Sequence, residues 1–215
     1  MLGGHLFTRD YLLEGVKRSP QWRALEDGAF ADFEAKARTV LAGFPINGRP
    51  NEAQTEKDLI YPVLEALGWT DVQVQETLSA KGRKQVPDAL LFASAEQKTL
   101  AVAEPQPFKR YAFGLAIMEA KRWARALDRA DKREAHEEGV PSTQMLQYLS
   151  RVDIQTSGVV RLGILTNGVK WRLYFQGALS VSEEYLEIDL AKALGLPGHD
   201  LDLVERADER LTPAH

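Results

Sequence analysis

The chain contains no cysteine, which excludes disulfides, thiolate metal sites and thiol nucleophiles and gives no support to an oxidising compartment. Its four histidines, His5, His136, His199 and His215, show no spacing that binds a metal or supplies a catalytic base. No apolar run approaches the length that crosses a bilayer, and the opening MLGGHLFTRDYLLEG lacks the basic start and long apolar stretch of a secretory signal. A cytoplasmic protein without membrane contact is therefore expected. G-x-S-x-G, P-loop and G-x-G-x-x-G motifs are also missing, so hydrolase-triad, NTPase and dinucleotide readings have nothing to rest on. There are no internal repeats and no low-complexity tract.

What is present is enough chain for a real core: 215 residues, 44% of them hydrophobic, which suits one domain with an extra arm, or two small ones. A net charge of -4 and an isoelectric point near 5.7 argue against a general nucleic-acid coat protein, which binds by neutralising many phosphates. The average hides an asymmetry. Basic residues dominate between Lys81 and Arg133, whereas the chain from Glu134 onward is acidic. One face can meet a phosphate backbone, although such charges are also ordinary solvated surface.

Along the chain, FTRDYLLEGVKRSPQWRAL and, after the Asp27-Gly28 break, FADFEAKARTVLAGF carry helical spacing and predict an N-terminal helical arm over residues 1–48. The best helix is NEAQTEKDLIYPVLEALGW. Asn51 is its N-cap with Gln54 three residues on, Gly68 its stop, and Pro62 a point where it can kink. Ile60, Val63, Leu64 and Leu67 form its apolar stripe, and counting back from Ile60 by fours puts Glu56 and Glu52 on the same side.

The period then switches to alternation. DVQVQETLS and QVPDALLFA predict a hairpin closed by AKGR, with the second strand starting at Asp88. Ser94 to Gly114 reads as an insertion or long loop. It leads into the apolar strand LAIMEA, and ARALDRADKREAHEEGVP follows as a polar connection open to partial helix. STQMLQYLSRV predicts a helix capped by Ser142 with Pro141 just outside. VVRLGIL and VKWRLYFQ form a hairpin with Asn167-Gly168 as its two-residue loop, and EYLEIDL and a short helix, AKALG, end the pattern. The tail from residue 199 is polar and weakly patterned. Helix, hairpin, strand, helix, hairpin implies a mixed sheet with helices packed on it. The tryptophans Trp22, Trp69, Trp123 and Trp171 fall in amphipathic stretches and are assigned to the core rather than to base stacking.

The chemistry sits on LAIMEAK. Side chains two apart on a strand share a face, so Glu119 and Lys121 stand together, with Leu115 and Ile117 continuing that face into the core. Burying two such ions costs several kcal/mol each unless they pair or bind a metal. An exposed strand end with an ordinary Glu-Lys pair is the plain alternative. Asp88 changes the balance, because it opens the neighbouring apolar strand on the same face as Leu90 and Phe92. Two carboxylates converging beside a lysine can hold Mg2+, which keeps several waters and needs few protein ligands. The lysine can then orient or help deprotonate an attacking water while the metal offsets charge on a phosphate oxygen. This is chemistry for hydrolysing a phosphodiester.

Pro87-Asp88 followed by Glu119-Ala120-Lys121 resembles the PD…ExK signature of the restriction-endonuclease-like nuclease superfamily. NEAQTEKDLIYPVLEALGW resembles the acidic first helix of the nuclease domains of type I and combined type IIG restriction-modification enzymes. EAKRWARALD is similar to the catalytic strand and its exit in the type IIG group. QMLQY supplies a Q-x-x-x-Y pattern at Gln144 and Tyr148, and GILTNGVKWRLY resembles the hairpin that follows. The resemblance spans about Asn51 to Leu194, and more loosely the arm from Phe7.

The resemblance implies an α/β fold, a restriction-endonuclease-like mixed β-sheet flanked by helices, with a nuclease core over residues 49–198 and a tail or connector over 199–215. It implies Asp88 and Glu119 as ligands of Mg2+, with Mn2+ as substitute, and Lys121 as the catalytic lysine. Glu52 completes the site in the usual register, with Glu56, one turn closer to the sheet, in reserve. Gln144 and Tyr148, adjacent on one helix face, lie near the active site or the DNA backbone on this reading, or form a half-buried face against the sheet. Lys81, Arg83, Lys84, Arg122 and Arg125 are candidates for DNA-backbone contact, or else solvated turn and helix charges.

In the type IIG enzymes such a domain continues into a connector, a methyltransferase and a target-recognition domain. This sequence has neither a glycine-rich cofactor loop nor an N-P-P-[FY] motif, so those functions are expected from partners in cis or in trans. The expected substrate is double-stranded DNA, and cutting both strands needs two active sites, as in a dimer, or two sequential events. Two other readings remain at this level: a non-catalytic DNA-binding or scaffolding module of a defence or modification complex, and a structure-specific repair nuclease.

Overall fold

The structure, a computed structural model, describes residues 2–74, 86–130 and 139–196. The turn AKGR with Lys81, Arg83 and Lys84, and the tail from residue 199, lie outside the described residues.

The chain opens with a short strand, β1 (Leu2–Gly4), then a π-turn (Tyr11–Gly15), a 3-10 turn (Val16–Arg18), α1 (Pro20–Arg23) and α2 (Ala29–Gly43). Gly28 starts α2 at φ 92°, which suits a residue without a Cβ. The arm is helical but not detached. Ala37, Leu41 and Phe44 are buried in one cluster with Leu59, Val63, Val169 and Leu190. Residues 2–4 pair with the last strand, which helical spacing did not foresee.

The acidic helix comes in three pieces: α3 (Glu52–Thr55), a π-turn (Glu56–Ile60) and α4 (Tyr61–Ala66). Asn51 closes a full capping box with Gln54. The π-turn lies just ahead of Pro62, which has no N–H to return to the carbonyl four residues back, so the widened turn stands where a regular bond is impossible. Gly68 stops the helix at φ 80°, with the Trp69 N–H returning to the Leu64 carbonyl. Leu67 is exposed and drops out of the expected stripe, whereas Ile60, Val63 and Leu64 are buried.

The remaining elements are β2 (Val72–Val74), β3 (Ala89–Leu91), α5 (Ala95–Ala103), a 3-10 segment (Pro107–Phe113), β4 (Ala116–Ala120), α6 (Pro141–Gln155), β5 (Leu162–Thr166), β6 (Lys170–Phe175), β7 (Tyr185–Asp189) and α7 (Leu190–Ala193). Three expectations are corrected here. Ser94 to Gly114 is helical, because Ser94 caps α5 by accepting the Gln97 N–H. Pro141 is the first residue of α6, with Val140 in the capping position and no role for Ser142 there, as its fixed φ suits that position. Residues 121–130 form turns rather than helix, and 131–138 lie outside the described residues.

The seven strands form one mixed sheet in the order β1-β7-β6-β5-β4-β3-β2. Among the described residues only β4 and β5 run parallel, and the crossover that a parallel pair requires is supplied by the connection through α6. Alternation divides β4 between two layers. Ala116, Met118 and Ala120 face Ile60 and Leu64, while Ile117 faces Leu90, Met145, Tyr148 and Leu149. Leu115 precedes the strand and is exposed. Helices thus cover both faces of an α/β sheet, consistent with the restriction-endonuclease-like expectation, and no helix among the described residues is long and apolar enough to cross a membrane.

Of the tryptophans, Trp69, Trp123 and Trp171 are half-buried against core clusters. Trp22, on the short α1, is 43% exposed and does not belong to the core.

Candidate functional site

β3 and β4 are antiparallel, with Ala89 opposite Met118, so the start of β3 meets the end of β4. That register brings Asp88 to Glu119. One Asp88 carboxylate oxygen accepts the Ala120 N–H at 2.8 Å, extending the ladder by a side chain. The Lys121 Nζ lies 2.6 Å from Glu119 Oε1 and 3.8 Å from Glu52 Oε2. Three segments, the acidic helix, β3 and β4, therefore deliver Glu52, Asp88, Glu119 and Lys121 to one place. They open into a cavity of about 500 Å3 whose far wall is the start of α6, with Gln144 and Tyr148.

Glu119 is 2% exposed, and its second carboxylate oxygen is buried without a hydrogen-bond partner among the described residues. Burial, then the Asp88 charge, pushes its pKa from the ordinary 4.5 up to about 8, against the opposing pull of Lys121. Burial alone would lower the Lys121 pKa, but Glu119 and then Glu52 outweigh it and hold the ammonium above its ordinary value. Glu56 belongs to the same electrostatic group: burial, Asp88 and Glu52 raise its pKa to about 7, opposed by the Tyr61 hydroxyl and Lys121. The structure brings Glu52 next to Lys121 and sets Glu56 behind it, bonded to Tyr61 at 3.4 Å.

Gln144 Nε2 donates to the Tyr148 hydroxyl at 2.8 Å, and both line the cavity although Tyr148 is a buried core residue. The two alternatives for this pair are thus compatible. Arg125 is a correction. It is 2% exposed, and its guanidinium donates to the carbonyls of Ala126, Arg129 and Gly139, so it ties the exit of β4 to the entry of α6 instead of presenting a surface charge to DNA. Arg122 is half-buried in the turn after Lys121. Lys81, Arg83 and Lys84 lie outside the described residues.

The exit of β4 is held at three further points. Lys121 N–H continues the sheet to the Thr166 carbonyl at 2.8 Å, Asn167 Nδ2 donates to the Arg125 carbonyl at 2.9 Å, and the Trp123 N–H donates to Thr55 Oγ1 at 3.0 Å. Farther along, Arg172 of β6 is buried between Asp128 and Glu187. The sequence gives little to mark Thr55, because its partner is 68 residues away. Its one signal is a polar residue on the buried side of the helix. A smaller cavity of about 180 Å3 lies beyond Arg125. Its carboxylate is that of Asp128, held by Arg172, so it does not share the acidic chemistry.

Among the described residues, no group of three or more His, Asp or Glu side chains is disposed to hold a metal ion. The donors that fit a hard cation are Asp88 and Glu119: two carboxylates, one with a buried oxygen lacking a partner, beside an open cavity with room for water. Such a set can also simply store a proton on Glu119. In comparisons with family models, curated proteins and solved structures, nothing matches the chain.

Proposed function

We propose that the chain is a magnesium-dependent DNA endonuclease module of the PD-(D/E)xK kind, hydrolysing phosphodiesters as the cleavage part of a restriction-modification system. The observation that carries this reading is the meeting of Asp88, Glu119, Lys121 and Glu52 at one cavity mouth, in the pattern that the PD…ExK resemblance implies. Asp88 and Glu119 would hold Mg2+ or Mn2+, with Glu52 beside Lys121. When bound there, such a cation would supply a Lewis acid to offset charge building on the phosphate oxygens.

The chain's own groups do the rest. Lys121, kept as an ammonium by its two carboxylate neighbours, orients the attacking water and the phosphate by donating hydrogen bonds; its raised pKa makes it a donor rather than a proton acceptor. The buried face of Ile117 and Leu90 beneath Glu119 keeps bulk water from one side and strengthens these interactions. The acidic overall charge suits a module brought to double-stranded DNA by a target-recognition partner, with the methyltransferase in cis or in trans.

The test is cleavage of supercoiled plasmid by the purified chain across a Mg2+ and Mn2+ titration, with branched and single-stranded DNA alongside. Lys121→Ala is expected to lower the rate by about 10^2 to 10^3-fold, the usual value of a preorganised hydrogen-bond donor aimed at developing charge. Equal cutting by that variant, or no divalent binding by calorimetry at millimolar metal, overturns the proposal and leaves a binding or scaffolding module.

A further inference from the structure

Thr55 is fully buried at the end of α3. Its hydroxyl donates to the Asn51 carbonyl at 2.8 Å and accepts the Trp123 N–H at 3.0 Å. One oxygen therefore joins two stretches that are remote in sequence. On one side is the capped turn that carries Glu52, made rigid by the reciprocal Asn51 and Gln54 bonds. On the other is the exit of β4, two residues beyond Lys121. From here the backbone leaves the sheet, passing through Ala124 at φ 63°, so the ladder no longer fixes it.

We propose that the Thr55 hydroxyl is a positioning residue that sets the distance between Glu52 and Lys121 by fastening the acidic helix to the backbone leaving the catalytic strand. The catalytic consequence rests on the nuclease reading; the positioning itself does not. The hydroxyl satisfies a backbone N–H and a carbonyl together, which a methyl group cannot do. Without it the Trp123 N–H loses its acceptor, and the two stretches are free to separate by the few tenths of an ångström that matter for a contact of 3.8 Å. A buried threonine that merely filled space would act through its methyl group instead.

That distinction defines the experiment. Thr55→Val keeps the shape and removes the hydroxyl, Thr55→Ser keeps the hydroxyl and removes the methyl, and Thr55→Ala serves as a second hydroxyl-free variant if valine strains the site. Two readouts are taken on each folded protein. The first, without metal or DNA, follows by NMR the hydrogen exchange of the Trp123 amide and the proximity of the Glu52 and Lys121 side chains. The second separates kcat from KM for DNA cleavage at saturating Mg2+. Thr55→Val and Thr55→Ala are expected to speed Trp123 exchange, move the Glu52 and Lys121 side chains apart and reduce kcat by about 10-fold with KM little changed, less than the roughly 10^2-fold that a full 1 Å misplacement can cost. Thr55→Ser is expected to match the parent in all three. Unchanged Trp123 exchange and Glu52–Lys121 proximity in Thr55→Val, or a Thr55→Ser protein as impaired as Thr55→Val, overturns the proposal. A parent protein that binds no metal and cuts no DNA would remove the nuclease reading alone, and the NMR arm would still decide the role of Thr55.

Discussion

The Asp88 carboxylate accepts the Ala120 backbone N–H at 2.8 Å, which locks the residue that opens β3 onto the peptide linking Glu119 to Ala120. Asp88 is thus both part of the sheet's hydrogen bonding and one of the charges that raise the Glu119 pKa. The two roles separate in Asp88→Asn, whose amide oxygen can still accept the N–H but carries no charge. We expect that variant to melt within a few degrees of the parent, or above it because a repulsive charge is gone, while plasmid cleavage falls by about 10^2-fold or more. Melting curves and nicking assays on the same preparation check both halves.

The carboxylates also predict how stability depends on pH. Glu119 is pushed up to about 8 and Glu56 to about 7, both from 4.5 and both chiefly by burial. The folded state therefore holds these protons more tightly than the unfolded chain. The resulting stabilisation is complete below about pH 4.5 and is lost as pH rises, first through 7 and then through 8. Lys121, raised above its ordinary value, contributes no slope in that window. Urea denaturation in chelator at pH 5.5, 7 and 8.5 is expected to show falling stability, and Glu119→Gln to flatten the upper part of the fall. A curve that rises toward pH 8.5 would mean Glu119 is ionised in its ion pair throughout.

Arg125 gives a different kind of prediction, because it serves the backbone. Arg125→Ala removes one cation from the carbonyls of Ala126, Arg129 and Gly139 in a buried setting, and is expected to destabilise the fold by roughly 2–4 kcal/mol. Arg125→Lys is expected to recover little of this, since an ammonium cannot span acceptors that a planar guanidinium reaches from two nitrogens. Chemical denaturation measures both. A variant with parental stability but weaker DNA binding would return Arg125 to the surface role that its place in the basic stretch suggested.

The contrast between Arg125 and Lys121 shows what the sequence carries. Lys121 was legible because its partners are set by local rules: a period of two aligns it with Glu119, and an apolar strand beginning at Asp88 supplies the second carboxylate. The Asn51 cap and the Gly68 stop were legible for the same reason. Arg125 looks like any solvated charge until three carbonyls from separate turns converge on it. β1 escaped notice because Leu2, Gly3 and Gly4 have no strand-forming side chains and pair with β7 by backbone alone. The stretch from Ser94 to Gly114 read as a loop because only Ala101 of α5 is buried, leaving no apolar stripe to find. The acidic register was ambiguous for a physical reason as well. A π-turn at Glu56–Ile60 breaks the count by fours, so Glu52 and Glu56 do not descend from Ile60 along a straight face.

The turn between β5 and β6 yields the last prediction. Its two central residues are Gly168 and Val169, one position later than the Asn167-Gly168 pair that the sequence suggests, because Asn167 pairs with Lys170 and uses its side-chain oxygen to accept the Val169 and Lys170 N–H groups. Gly168 has φ 84°, and a Cβ there would lie 2.3 Å from Leu59 Cδ2 and 2.8 Å from Leu59 Cγ. Leu59 is buried on the same helix that carries Thr55 and Glu52. Gly168→Ala therefore meets two penalties, left-handed backbone strain of about 1 kcal/mol and overpacking of about 1–3 kcal/mol. If the turn is a wedge that seats the acidic helix, pairing Gly168→Ala with Leu59→Ala should restore part of the lost stability, because the second change removes the atoms in the way. A double-mutant cycle by urea denaturation measures the coupling, and strictly additive losses would show that the strain is confined to the turn.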